Sequence, residues 1–240
     1  VDKFGGKKPL YVEKLLQEAK GVAELLRDNN KEIETLYIGG GTPTTLSPEE
    51  MDTLIKGLFK EFDLSNIKEF TVEAGRPDTI NREILEVLKK HGVSRISINP
   101  QTMNDETLQK VGRKHSVNDI IECFQLAREL GFDNINMDII LGLVDENLAM
   151  VENTLKEIEK LSPESLTVHT LAVKRTSKLK ENIDNYELTQ FDEMTKMIDL
   201  SMKYAKKMGL NPYYMYRQKH MLGNLENIGY AKEGYECIYN

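Results

Sequence analysis

Apolar residues recur at helical spacing near the start of the chain: Tyr11, Val12, Leu15, Leu16, Ala19, Val22, Ala23 and Leu26 form one stripe. The short run Leu36-Tyr37-Ile38 has no alternation, which predicts a strand covered on both faces. Met51, Leu54, Ile55, Leu58, Phe59 and Phe62 then mark a second helical face. The rhythm repeats. Strands are predicted at about Glu69–Glu73, Arg95–Ile98, Ile135–Leu141 and Leu166–His169, with helices between them. A long helix follows from about Thr189 to Lys207, and then an alternating segment, Tyr213–Tyr216, as a further strand.

Local signals place the helix ends. Ser47-Pro48-Glu49-Glu50 combines a cap, a proline at the first helical position and a capping box. Ser116 with Asp119 caps the fourth helix, Ser162-Pro163 closes the fifth, and Thr189 with Asp192 opens the long one. Strand–helix alternation at this spacing means βαβ units and a parallel sheet, an α/β fold. Periodicity leaves a curved partial barrel and a flat doubly wound sheet both open. No linker, repeat or low-complexity run divides the chain.

Composition narrows the function. The 240 residues carry a net charge of −7 with no basic stretch, which argues against nucleic-acid binding. No apolar run approaches the roughly 20 residues that span a bilayer. Two cysteines give no disulfide framework, and with no signal peptide the expected compartment is a reducing cytoplasm.

The candidate chemistry centres on Thr35-Leu36-Tyr37-Ile38-Gly39-Gly40-Gly41-Thr42-Pro43-Thr44, a strand running into a glycine loop ahead of a helix. Glycines admit positive φ and let a ligand approach the main chain closely. A dinucleotide fingerprint would need glycine at Thr44; no Lys-Ser/Thr pair makes a P-loop, and no serine sits between glycines. A ligand cradle and a plain βα turn both remain. In parallel α/β folds ligands sit at the carboxyl ends of strands. Gly39–Pro43, Glu73, Asn99, Gln101, Asp138 and His169 are therefore expected to converge. Glu73 suits a ligand amine or ribose, or an ion pair with Arg76. Gln101 suits a bidentate contact or a turn. Asp138 lies inside an apolar strand, where a charge is costly unless partnered. Arg113 reads as a solvated loop charge, His91 and His115 as surface residues, and Cys123 as core.

Several ordered blocks resemble one family. Gly-Gly-Gly-Thr-Pro-Thr after a short strand resembles radical S-adenosylmethionine (SAM) enzymes. Val72-Glu73-Ala74, Ser97-Ile98-Asn99-Pro100-Gln101, Val111-Gly112-Arg113 and Asn136-Met137-Asp138-Ile139-Ile140-Leu141-Gly142-Leu143 resemble its oxygen-independent coproporphyrinogen III oxidase branch (coproporphyrinogen dehydrogenases). Tyr213–Lys219 and Gly223–Tyr230 look most like the HemZ-type member. The likeness covers roughly positions 10 to 235 and implies a partial (β/α)6 barrel, with 209–240 beginning a C-terminal extension. It implies that Gly39, Gly40, Gly41, Thr42 and Pro43 receive the methionyl amine. Glu73, Gln101 and Asp138 would meet the amine and ribose, and Arg113 the carboxylate. In the family the cofactors are SAM and a 4Fe–4S cluster held by C-x3-C-x2-C upstream of the loop. This chain has only Cys123 and Cys237, both downstream. With a first residue that is not methionine, that predicts a fragment, itself inactive and lacking the first strand and cluster loop.

The implied reaction is the oxidative decarboxylation of coproporphyrinogen III to protoporphyrinogen IX in haem biosynthesis. A 5′-deoxyadenosyl radical takes hydrogen from a propionate, and CO2 and an electron leave. A porphyrinogen substrate and an electron donor to the cluster are the expected partners. The alternatives are a haem-trafficking or haem-degrading relative and a cluster-free ligand-binding domain. Tyr214 and Tyr216 are expected on one strand face, with Tyr213, Met215 and Arg217 on the other. Tyr216 would give flat surface to a tetrapyrrole, and Arg217 and Lys219 would pair with its propionates; an edge strand packed on the last helix is the other reading.

Overall fold

A computed structural model describes residues 6–172, 189–217 and 225–240. Helix α1 spans Lys8–Asp28, strand β1 Thr35–Ile38 and α2 Pro48–Glu61. Then come β2 Glu69–Gly75, α3 Arg82–Lys90, β3 Arg95–Gln101, α4 Asp105–Lys110, α5 Val117–Glu129 and β4 Ile135–Leu141. They are followed by α6 Leu148–Leu161, β5 Ser165–Thr170, α7 Phe191–Lys207, β6 Asn211–Tyr216 and β7 Asn227–Ala231. The sheet runs β1-β2-β3-β4-β5-β7-β6. Its first five strands are parallel, and β7 joins β5 and β6 antiparallel. The fold is mixed α/β, with the sheet curled into a half-barrel.

The capping boxes form as read. Ser47 pairs reciprocally with Glu50, and Ser116 with Asp119. The long helix starts later than expected: Gln190, not Thr189, occupies the cap of α7, with no side-chain bond. Glu193 is drawn instead to the start of α6, where it accepts from the Leu148 amide at 3.2 Å. The short helix α4 and the strand β7 have no counterpart in the sequence pattern. The former has a single buried apolar residue, Leu108, and the latter is only five residues long with a central glycine.

Period-two alternation decides where the site lies. One set of strand residues, including Phe70, Val72, Ile96, Ile98, Ile135, Met137, Ile139, Leu166 and Val168, packs with Met51, Ile55, Leu85, Leu88, Ile120 and Leu155 of the helices in the main core. The other set is polar and bonds across the strands. Asn136 Nδ2 donates to Ser97 Oγ at 3.3 Å, Thr167 Oγ1 to Asn136 Oδ1 at 3.2 Å, and Arg95 Nη2 to Ser165 Oγ at 3.2 Å. A closed βα barrel fills its interior with branched apolar side chains; this concave face is hydrophilic, which suits a ligand rather than a core.

Strand β1 departs from the expectation of two covered faces, since all four of its residues are half-buried. Leu36 and Ile38 pack on the smaller cluster of Val12, Ala19, Leu54 and Leu58, whereas Tyr37 turns its hydroxyl to the polar face. Among the described residues β1 pairs only with β2. No helix among them is long and apolar enough to cross a membrane.

Candidate functional site

The glycine loop is shaped by its backbone. Gly40 and Gly41 have φ of +77° and +63°, a region that side chains rarely adopt. Gly39 is glycine for a different reason. A Cβ there would meet Cε1 of Tyr37 at 2.4 Å and Cδ of Glu73 at 3.2 Å. Thr42 begins a tight turn over Pro43–Thr45, its carbonyl accepting from Thr45 N at 3.0 Å. Thr44 Oγ1 fastens that turn to the end of β2, 2.7 Å from both the Ala74 carbonyl and Thr79 Oγ1. A cleft of about 470 Å³ runs along the loop, lined also by Lys7, Lys8 and Tyr11.

Glu73 lies at the loop, not on Arg76. Its Oε1 accepts from the Tyr37 hydroxyl at 2.6 Å and its Oε2 from the Gly40 amide at 3.0 Å. Arg76 makes a two-pronged pair with Asp78, at 3.0 and 2.7 Å. Asp138, inside β4, is partnered as its burial demands. Asn136 Nδ2 donates to Oδ1 at 2.6 Å, and His169 Nε2 lies 3.6 Å from Oδ2. Burial pushes this carboxyl up, but His169, Asn136 and Thr167 outweigh it and hold it below its ordinary range. Glu73 pairs in register with Ser97 and Ser97 with Asn136, and Asp138 lies two residues beyond Asn136 in β4, so Glu73 and Asp138 share one concave face.

The end of β3 is irregular. The register shifts between Ile98 and Gln101, and buried Gln101 adopts a left-handed φ of +69°. Such a conformation costs free energy and concentrates at functional sites. Asn99 Oδ1 is buried with no hydrogen-bond partner, a cost that a ligand donor would relieve.

Arg113 is not a solvated charge. Desolvation and the neighbouring Arg76 guanidinium lower its pKa, opposed by Asp78, and it makes no ion pair among the described residues. His115, read from sequence as a surface residue, has a fully buried side chain 3.6 Å from Asp78 Oδ1, and neither ring nitrogen has a hydrogen-bond partner. Burial lowers its pKa, against the pull of Asp78. Two guanidiniums, one carboxylate and an unsatisfied buried imidazole make an anion-seeking corner beside the end of β2. His91 is half-buried and bonds Asp52 Oδ1 at 2.8 Å. Both contacts come from residues far away in sequence, so no local signal marked them.

Strand β6 lines the far side. Tyr216 stacks with Tyr214 at 5.8 Å and 2°, and its hydroxyl lies 3.0 Å from His169 Nδ1. A register shift between Pro212 and Tyr214 disturbs the expected alternation: Tyr213 is half-buried beside Tyr214, ring centroids 4.8 Å apart, whereas Met215 and Arg217 are exposed. Arg217 is paired with Glu226 across the β6–β7 hairpin. Lys219 lies outside the described residues.

The residues present fit SAM: two carboxylates, positive-φ glycines, an orphaned Asn99 oxygen and Arg113 line one end of the sheet. They do not fit a 4Fe–4S cluster. Cys123 is buried in α5 with its thiol pushed up to about 12 by burial, and Cys237 Sγ is engaged with Glu69 at 3.2 Å. Cluster ligands are low-pKa thiolates.

A parallel half-barrel with a glycine loop after its first described strand, and polar residues at the strand ends, defines the class. The radical SAM superfamily profile matches residues 3–158, and the chain belongs to that family. It is 48% identical to the oxygen-independent coproporphyrinogen-III oxidase-like protein HemZ of Bacillus subtilis over 93% of this chain and 45% of that protein. It is 30% identical to the heme chaperone HemW of the same organism, over 96% of this chain and 58% of that one. The solved coproporphyrinogen III oxidase HemN of Escherichia coli superposes with a TM-score of 0.78 at 24% identity, over 95% of this chain and 49% of that one. The chain spans about half the length of these relatives.

Proposed function

We propose that the chain is the SAM-binding core of an enzyme that oxidatively decarboxylates coproporphyrinogen III. One observation carries the cofactor half: Glu73 and Asp138 share a face, with the glycine loop and Arg113, which makes no ion pair among the described residues, at the same end of the sheet. Glu73 and the carbonyl oxygens of the loop suit the methionyl ammonium, Arg113 the carboxylate, Asp138 and Gln101 the ribose. Bound SAM would supply hydrogen-abstracting radical chemistry at a propionate side chain, whose loss of CO2 and of one electron to an acceptor would give a vinyl group. This chain's own residues bind and orient; they do not supply the cluster.

The substrate half draws support from the HemZ relative and from the Tyr214–Tyr216 stack, a flat surface beside His169. The same surface suits a haem, and the HemW relative favours that second reading. The full-length protein, reconstituted anaerobically with iron and sulfide, separates them. Given SAM, a reductant and coproporphyrinogen III, it should release CO2 with 5′-deoxyadenosine. Stoichiometric haem capture without decarboxylation would instead establish haem handling.

A further inference from the structure

Tyr37 does more than fill a strand. Its ring occupies the space that a side chain at Gly39 would need, its hydroxyl holds Glu73 Oε1 at 2.6 Å, and Glu73 Oε2 takes the Gly40 amide at 3.0 Å. Gly40 is exposed, so water competes for its amide. A hydrogen bond from an exposed donor to a free-swinging glutamate gives little net stabilisation, because ordering the side chain costs entropy. Pinning one carboxylate oxygen removes that cost and leaves the other aimed at the loop.

Tyr37 is itself braced. The segment 234–240 leaves β7 and crosses to the base of β2, where buried Glu69 accepts from Cys237 Sγ at 3.2 Å and from the Ile238 amide at 2.9 Å. That anchor sets Tyr239 on Tyr37, ring centroids 4.6 Å apart and planes 22° from parallel. Tyr239 is 59% exposed, so its placement comes from the Glu69 anchor and the stack rather than from burial. Burial and Glu73 together raise the Tyr37 pKa, which keeps the phenol a donor.

We infer that Tyr37, braced by Tyr239, is a positioning residue that fixes Glu73 and through it the conformation of the glycine loop. The inference deepens the SAM reading and rests on it for its ligand.

The test uses the 15N-labelled chain, water-exchange NMR of the Gly40 amide and calorimetric titration with S-adenosylhomocysteine. Tyr37→Phe should speed Gly40 exchange about tenfold and weaken the ligand about tenfold, the worth of one ordinary hydrogen bond. Protection of the Phe70 and Val72 amides should stay unchanged. Tyr239→Ala should move Gly40 the same way, and Tyr239→Phe, which keeps the stack, should not. Unchanged Gly40 exchange in Tyr37→Phe overturns the positioning role; if that variant does not fold, equal exchange in Tyr239→Ala and Tyr239→Phe does so. Wild-type protein that binds no S-adenosylhomocysteine sinks the cofactor reading alone, since the exchange result still decides Tyr37.

Discussion

The hydroxyl of Tyr216 lies 3.0 Å from Nδ1 of His169, whose other ring nitrogen faces Asp138 at 3.6 Å. An ionised Asp138 accepts, so a neutral imidazole carries its proton on Nε2 and leaves Nδ1 to accept from the phenol. Three side chains from β6, β5 and β4 thus line up across the polar face, Tyr216 and His169 at hydrogen-bond distance and His169 and Asp138 in ion-pair contact.

His169→Asn tests that contact through pH. Asp138 has a folded pKa below its ordinary 3.8. Its contribution to stability is therefore present above that value and is lost as pH falls through the lower, folded one. Removing His169 brings the folded pKa back toward ordinary. The variant should lose on the order of 1 kcal/mol near neutrality and show a flatter acid limb in urea midpoints taken from about pH 3 to 7. Parallel acid limbs in the two proteins would contradict the pairing.

Gly229→Ala should be disruptive for steric reasons alone. A Cβ there would meet the Tyr214 ring at 1.9 Å. Overpacking of this kind costs about 1–3 kcal/mol, read as a lower urea midpoint. Tyr214→Ala in the same chain should relieve most of that penalty; if the two losses simply add, Tyr214 is not what the alanine strikes.

The Arg217–Glu226 pair makes a prediction with opposite signs. If Arg217 meets a propionate, Arg217→Ala should weaken coproporphyrin III binding by about 2 kcal/mol or less, and Glu226→Gln, which frees the guanidinium, should strengthen it. Fluorescence quenching of the porphyrin measures both. Weakening by both variants would mean that the ion pair serves the hairpin and not the ligand.

Much of this architecture was legible because its causes are local. The boxes at Ser47 and Ser116 are fixed by residues three apart, and the apolar runs of β2 and β4 are what helices on their outer face require. Asp138 stood out for the same reason, as a charge among Ile135, Met137 and Ile139. What escaped depends on distance. Tyr37 reads as one more apolar residue until Glu73 is beside it. His115, flanked by Lys114 and Ser116, looks solvated until Asp78 and Arg76 fold over it. The bulge that turns Tyr213 inward is a property of the β6–β7 ladder, and β7 itself is too short to give a periodic signal.

The measurement closest to the central claim is calorimetric titration of S-adenosylhomocysteine into the wild-type chain, Gly40→Val and Asp138→Asn. Valine at φ +77° strains the backbone by about 1–2 kcal/mol or more, and asparagine removes the charge at the centre of the polar face. Wild-type protein should bind weakly, without a cluster to chelate the methionyl end, and each variant should lose about tenfold or more. Binding that is indifferent to both substitutions would place the cofactor away from the glycine loop and contradict the account.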